Sequence, residues 1–136
     1  MLTRRASLIG LPLLTLAAPA LAAEPELNRN LAVLRRFIGA WRGDGDGQPG
    51  HSTVTRTYEV VAGGNFVVCR NASSYPRQPK NPRGEAHTDV GWFSYDRAAR
   101  RIMLRQFHPA EAFVNTYAAP ADALAGDAWV FTTVAI

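Results

Sequence analysis

One cysteine is all that this 136-residue chain contains. No intrachain disulfide can form, so packing alone must hold the fold. Cys69 lies in the apolar run FVVC, residues 66–69, with no histidine or aspartate near it in sequence. It reads as a small buried hydrophobe rather than a reactive thiol. Long basic runs are missing as well. The arginines are scattered, and no stretch would follow a phosphate backbone, so nucleic-acid binding is not expected. Also absent are a Gly-x-Ser-x-Gly elbow, a phosphate loop and a dinucleotide fingerprint. The three histidines, His51, His87 and His108, have no i, i+4 pairing and no zinc-motif spacing. No catalytic constellation emerges. Ser73 and Ser74 lack a nearby base, and Asp44 and Asp46 flank glycines where solvated carboxylates are the default.

What is present begins with an export signal. Arg4 and Arg5 precede the apolar stretch 8–16, and Ala20-Leu21-Ala22 fits a small-x-small cleavage site. Pro12 and Pro19 interrupt the run, which argues against a membrane span of roughly 20 apolar residues. TRRASL, residues 3–8, also resembles a twin-arginine signal, although it lacks the usual phenylalanine and lysine. Cleavage after Ala22 leaves a single domain of 114 residues and takes the formal charge from +4 to +2. The expected location is periplasmic or secreted, with no stable membrane insertion after cleavage.

Apolar residues at Leu27, Leu31, Leu34 and Ile38 repeat at helical spacing, with Asn28 or Asn30 to cap the start and Gly39 to stop it. The period then changes to two. Strands are expected in the glycine-rich stretch after Trp41 and over 51–61, 65–75, 85–95, 100–108, 112–118 and 128–136. Turns fall at 63–65 and 96–99, a proline-rich loop at 75–84 and a further loop at 120–127. No helix-length segment separates the strands, which excludes a parallel sheet of βαβ units. The expectation is an all-β, antiparallel up-and-down barrel whose base is covered by the N-terminal helix. Trp41 is expected to pack its ring into that base. Gly43, Gly45 and Gly47 share one strand face, which would permit the bends that barrel closure needs.

GAWRGDGDG, residues 39–47, resembles the G-x-W-x-G-x-G opening of the nitrobindin-like haem-binding β-barrels, relatives of the lipocalins and fatty-acid-binding proteins (the calycin group). The Gly-Gly-Asn-Phe hairpin at 63–66 and GWFSYD at 91–96 fit the same pattern, and the resemblance covers roughly residues 34–117. It implies a barrel of about ten strands with an apolar interior, a hydrophobic or amphipathic ligand, and haem as the leading cofactor. Residues 128–136 read as a strand still in progress, and the seven expected strands fall short of the about eight that close a barrel. A truncated barrel is therefore expected, or one whose open edge pairs with a second copy as a homodimer. No residue matches the family's haem-binding histidine by position.

The candidate ligand-binding residues are Trp41, Arg70, His87, Arg105, Gln106, His108 and Tyr117. In the strand 101–108, Ile102, Leu104, Gln106 and His108 share one face, while Met103, Arg105 and Phe107 share the other. If the first set points inward, Gln106 and His108 are isolated polar groups able to orient a ligand. If the second does, Arg105 is a buried cation that needs an anion, either a ligand carboxylate or Glu85 or Glu59. Arg70, on the Phe66-Val68 face, raises the same alternative. His87 and Asp89 share a face and would hold a metal or orient an imidazole, or form a polar pair at a hairpin end. His108, followed by Pro109, would sit at the barrel mouth or cap a turn. Tyr117 belongs with the wall aromatics. Two other readings stand beside ligand binding: an enzyme on the same scaffold using His108 or His87, and a strand-pairing module with no small ligand.

Overall fold

The computed structural model describes residues 25–120, 124 and 129–136. The expected signal segment, 1–22, lies outside the described residues. Seven strands form one antiparallel up-and-down sheet: β1 (Gly39–Gly47), β2 (Gly50–Val61), β3 (Phe66–Tyr75), β4 (Glu85–Asp96), β5 (Arg101–His108), β6 (Phe113–Pro120) and β7 (Thr132–Ala135). They lie in the order β1 to β7, each paired with its neighbours in sequence, and among the described residues the sheet does not close. Two-residue and four-residue connections at 48–49 and 97–100 allow only antiparallel neighbours. At the second, the Asp96 carboxylate accepts from the backbone N–H groups of Ala98 and Ala99, both at 3.0 Å, which fixes the turn.

Residues opposite one another in an antiparallel pair share a face, so the register sorts the side chains. Val67, Cys69, Phe93, Ile102 and Ala119 stand on the face that is buried with Leu27, Leu31, Leu34 and Leu124. The helix that covers this face is a 3-10 helix, Arg29–Phe37, rather than an α-helix. Leu31, Leu34 and Phe37 are three apart, the spacing that aligns side chains on a 3-10 helix. Asn28 caps it, its side chain accepting from the Asn30 N–H at 3.0 Å.

The C-terminal segment shows how far the sheet curls. The Trp129 ring meets Phe37 edge-on at 4.9 Å, just before β1, and Phe131 meets Phe93 of β4 at 6.0 Å. Thr132, three residues after Trp129, pairs with Ala118 of β6. Three residues reach roughly 10 Å at most. The two edges of the sheet therefore approach each other at the end covered by the helix.

Trp41 does not fill the base. It is 51% exposed on the edge strand β1. No described strand lies on its far side to give the ring a second wall, and its indole N–H turns back to the Phe37 carbonyl at 2.6 Å. Leu31, Leu34 and Phe37, together with Trp129, occupy the place expected for it.

Candidate functional site

Above the apolar base, the buried face of the sheet turns polar in a single row. Trp41 stands opposite Arg56, Arg56 opposite Asn71, and Asn71 opposite Asp89. Gln106 on β5 stands opposite Gly91, one step diagonally from Asp89. Their side chains link across four strands. Arg56 Nε donates to Asn71 Oδ1 at 3.1 Å, Asn71 Nδ2 to Asp89 Oδ2 at 2.9 Å, and Gln106 Nε2 to Asp89 Oδ1 at 2.8 Å. Each Asp89 carboxylate oxygen thus has an amide donor, which is how a part-buried charge is held.

Beneath this row lies a hollow of about 170 Å³, lined by Arg56, Tyr58, Cys69, Asp89, Gly91, Phe93, Leu104 and Gln106. Gly91 keeps it open, because a Cβ there would come within 2.9 Å of Leu104 Cδ1 and 3.7 Å of Cys69 Cβ. A wider groove of about 620 Å³ passes Glu26, Leu27, Asn28, Arg29, Asn30 and Arg97, but no side-chain network crosses it.

Electrostatics couple Arg56, Tyr58 and Cys69. Burial pushes the Tyr58 phenol above its ordinary value, against a hydrogen bond to Arg56 that pulls it down. Burial likewise raises the Cys69 thiol, with Asp89 adding to the effect and Tyr58 and Arg56 opposing it. Burial alone would lower Arg56. The hydrogen bond to Tyr58 and the charges of Tyr58, Cys69 and Asp89 outweigh it and hold the guanidinium above its ordinary value. Two groups that prefer to stay protonated in the fold favour it fully below their unfolded values, ~8.5 for a thiol and ~10 for a phenol. That contribution is lost as pH rises through the higher folded values. Iodoacetamide at pH 8 should therefore modify native Cys69 at less than about a tenth of the rate for the urea-unfolded chain. Equal rates, read by mass spectrometry, would place the thiol in solvent.

The structure gathers some of the sequence candidates and separates others. Gln106, His108 and Tyr117 share the buried face, with Tyr117 opposite Leu104. Arg70 and Arg105 stand on the outer face. Arg70 Nη1 donates to Glu59 at 2.9 Å, and Arg105 lies opposite Trp92. His87 sits toward the far end of β4, its Nε2 3.5 Å from Glu85, its Nδ1 3.8 Å from Glu111 and its ring edge-on to Tyr75. The His108 ring stacks on Phe113 at 4.4 Å, and its buried Nε2 has no hydrogen-bond partner. Among the described residues, no group of three or more His, Cys, Asp or Glu side chains could hold a metal.

None of the three histidines lines this hollow. The hollow is smaller than the roughly 300–1,000 Å³ of drug-sized pockets. His51 lies among Asp44 and Asp46 at the β1–β2 hairpin end, His87 lies among glutamates, and His108 lies flat on a phenylalanine.

Sequence reasoning missed Arg56, Asn71, Asp89 as a network member, and Gly91. The parity of Val67 and Cys69 carries on to Asn71, and the two-residue turn at 48–49 sets Trp41 opposite Arg56. Both were readable, but only once the inward face was known. Compared with known proteins, the chain matches no family model, no curated protein and no solved structure. Fold and site define its class: an open antiparallel sheet whose helix-covered face carries a polar row above a small apolar-floored hollow.

Proposed function

We propose that this is an exported protein that binds a small amphipathic molecule on the inner face of the sheet. The observation that carries the reading is the Arg56–Asn71–Asp89–Gln106 row above the hollow. Asp89 is engaged on both oxygens, so the guanidinium of Arg56 is the donor left to meet a guest. Phe93 and Leu104 offer apolar contact below. A few polar groups converging over an apolar floor orient a ligand. The guest is smaller than drug-sized, with an apolar body and an acceptor-bearing head, most favourably a carboxylate. The resemblance of residues 39–47 to ligand-carrying barrels supports the same reading.

Benzoate and benzamide test it, titrated into the purified protein and followed by NMR shifts. Benzoate should bind saturably, and Arg56→Gln should weaken it about tenfold, the loss of one charge-assisted contact. Benzamide should change much less. Gly91→Val should abolish both, because its side chain fills the hollow. Benzoate binding that survives both substitutions unchanged would refute the site. Haemin is the second arm: a stoichiometric Soret shift lost in His108→Ala would replace the small-ligand reading with the haem one.

A further inference from the structure

The free edge of β1 is nine residues long, Gly39–Gly47, and no described strand covers it. Long bare edges recruit other strands, and charge is one way that proteins restrict which strand can pair. The outer face of β1 carries Arg42, Asp44 and Asp46, and their order makes the edge selective. A two-fold axis normal to the sheet sets two β1 strands antiparallel and places one residue opposite its own copy. Centred on Arg42, arginine meets arginine. Centred on Asp44, Arg42 faces Asp46 of the second copy, but aspartate meets aspartate at the axis and Gly39 and Ala40 are left without strand partners. Centred on Gly43, the middle of the strand, every residue from 39 to 47 finds a partner. Arg42 then faces Asp44 of the second copy and Asp44 faces its Arg42, with Asp46 diagonally within reach. On the other face, Trp41 stands opposite Gly45 of the second copy, where no side chain opposes the ring. A Cβ at Gly43 itself would meet nothing within 4 Å, so the axis position is unobstructed. His51 lies 3.8 Å from Asp44 and 3.5 Å from Asp46 and leaves the sign of the pairing unchanged. Arg42 has no carboxylate within 4.0 Å among the described residues.

We infer that the partner at this edge is a second copy of the chain, with β1 pairing to β1 about Gly43. The two seven-stranded sheets become one, and their hollows open to the same side. The pairing depends only on the edge strand and stands whatever the hollow binds. Light scattering after size exclusion, across a dilution series, tests it with Arg42→Asp, Asp44→Arg and the double exchange. The wild type should be dimeric. Each single variant turns two attractive pairs into two repulsive ones and should raise the dimer dissociation constant about tenfold or more. The double exchange should restore it, since the pairs re-form with signs reversed. Circular dichroism confirms that each variant keeps its sheet. A monomeric wild type, single variants that dimerise as well as the wild type, or a double exchange that fails to recover would each overturn the inference.

Discussion

Gly64→Ala is expected to destabilise the protein by about 2–4 kcal/mol, a large part of the 5–15 kcal/mol typical of a single domain. Two effects add. Gly64 sits at φ +88°, where a side chain is strained, and it is buried in the short turn between β2 and β3. An added Cβ would also overlap the backbone carbonyl of Glu26. The approach is close because the turn holds the segment that leads into the 3-10 helix. The Gly64 carbonyl accepts from the Asn28 N–H at 2.9 Å, and the Asn28 side-chain amide donates to Asn65 Oδ1 at 3.0 Å. Pushing the turn away from Glu26 pulls on the cap of the 3-10 helix. Gly63→Ala is the matched control. Its φ is +64°, but a Cβ there meets nothing, so the cost should stay near the ~1–2 kcal/mol of the backbone conformation alone. Urea unfolding of both variants reads the difference. If Gly64→Ala costs no more than Gly63→Ala, the helix cap does not rest on the turn.

Strand existence was legible because it rests on alternation and turn chemistry, both local. The six strands from β1 to β6 lie within a few residues of where period and turns place them. β7 is shorter than expected, Thr132–Ala135 rather than 128–136, because Trp129 and Phe131 leave the edge to pack on Phe37 and Phe93. Those contacts join residues about ninety and forty apart in sequence, and no local pattern announces them. The helix had the same difficulty. Leu27, Leu31, Leu34 and Ile38 fit an α-helical face, while Leu31, Leu34 and Phe37 fit a 3-10 face equally well. Tertiary packing decided between them. For Trp41, the local reading assumed a closed barrel with walls on both sides, and an edge strand supplies only one.

The site was legible residue by residue but not as a unit. Alternation puts Gln106 and His108 on one face, and that face is the buried one. Which face turned inward could not be read from β5 alone, since each carries both apolar and polar residues. The choice is made by the buried set on its neighbours, Val67, Cys69 and Phe93. Arg70 and Arg105 then fall outside by parity, where Glu59 and solvent meet their charge without a ligand. Asp89 takes its role from Asn71 and Gln106 on either side, and only the register joins those three strands.

Leu34→Ala should cost about 2–5 kcal/mol and should also weaken anything bound in the hollow. Leu34 is 1% exposed and Leu31 wholly buried. With Leu27 they are the apolar surface by which the 3-10 helix grips the sheet. Helices this short have little stability of their own, so their order comes from packing. Removing the Leu34 side chain leaves a cavity between helix and sheet and loosens Phe37, three residues on. Phe37 is the hinge of the aromatic base, touching Trp41, Tyr58 and Trp129, with the Arg36 guanidinium 5.2 Å above its ring. Tyr58 is also a wall of the hollow and the partner of Arg56. Damage at Leu34 therefore reaches the site through two packed rings. Arg35→Ala, on the exposed side of the same helix, should stay within about 0.5 kcal/mol. Urea unfolding gives the stability, and benzoate affinity in the still-folded variants gives the coupling. A Leu34→Ala protein that loses stability yet binds benzoate as the wild type does would uncouple the base from the hollow. A parallel loss of both would make the aromatic base the support of the binding face.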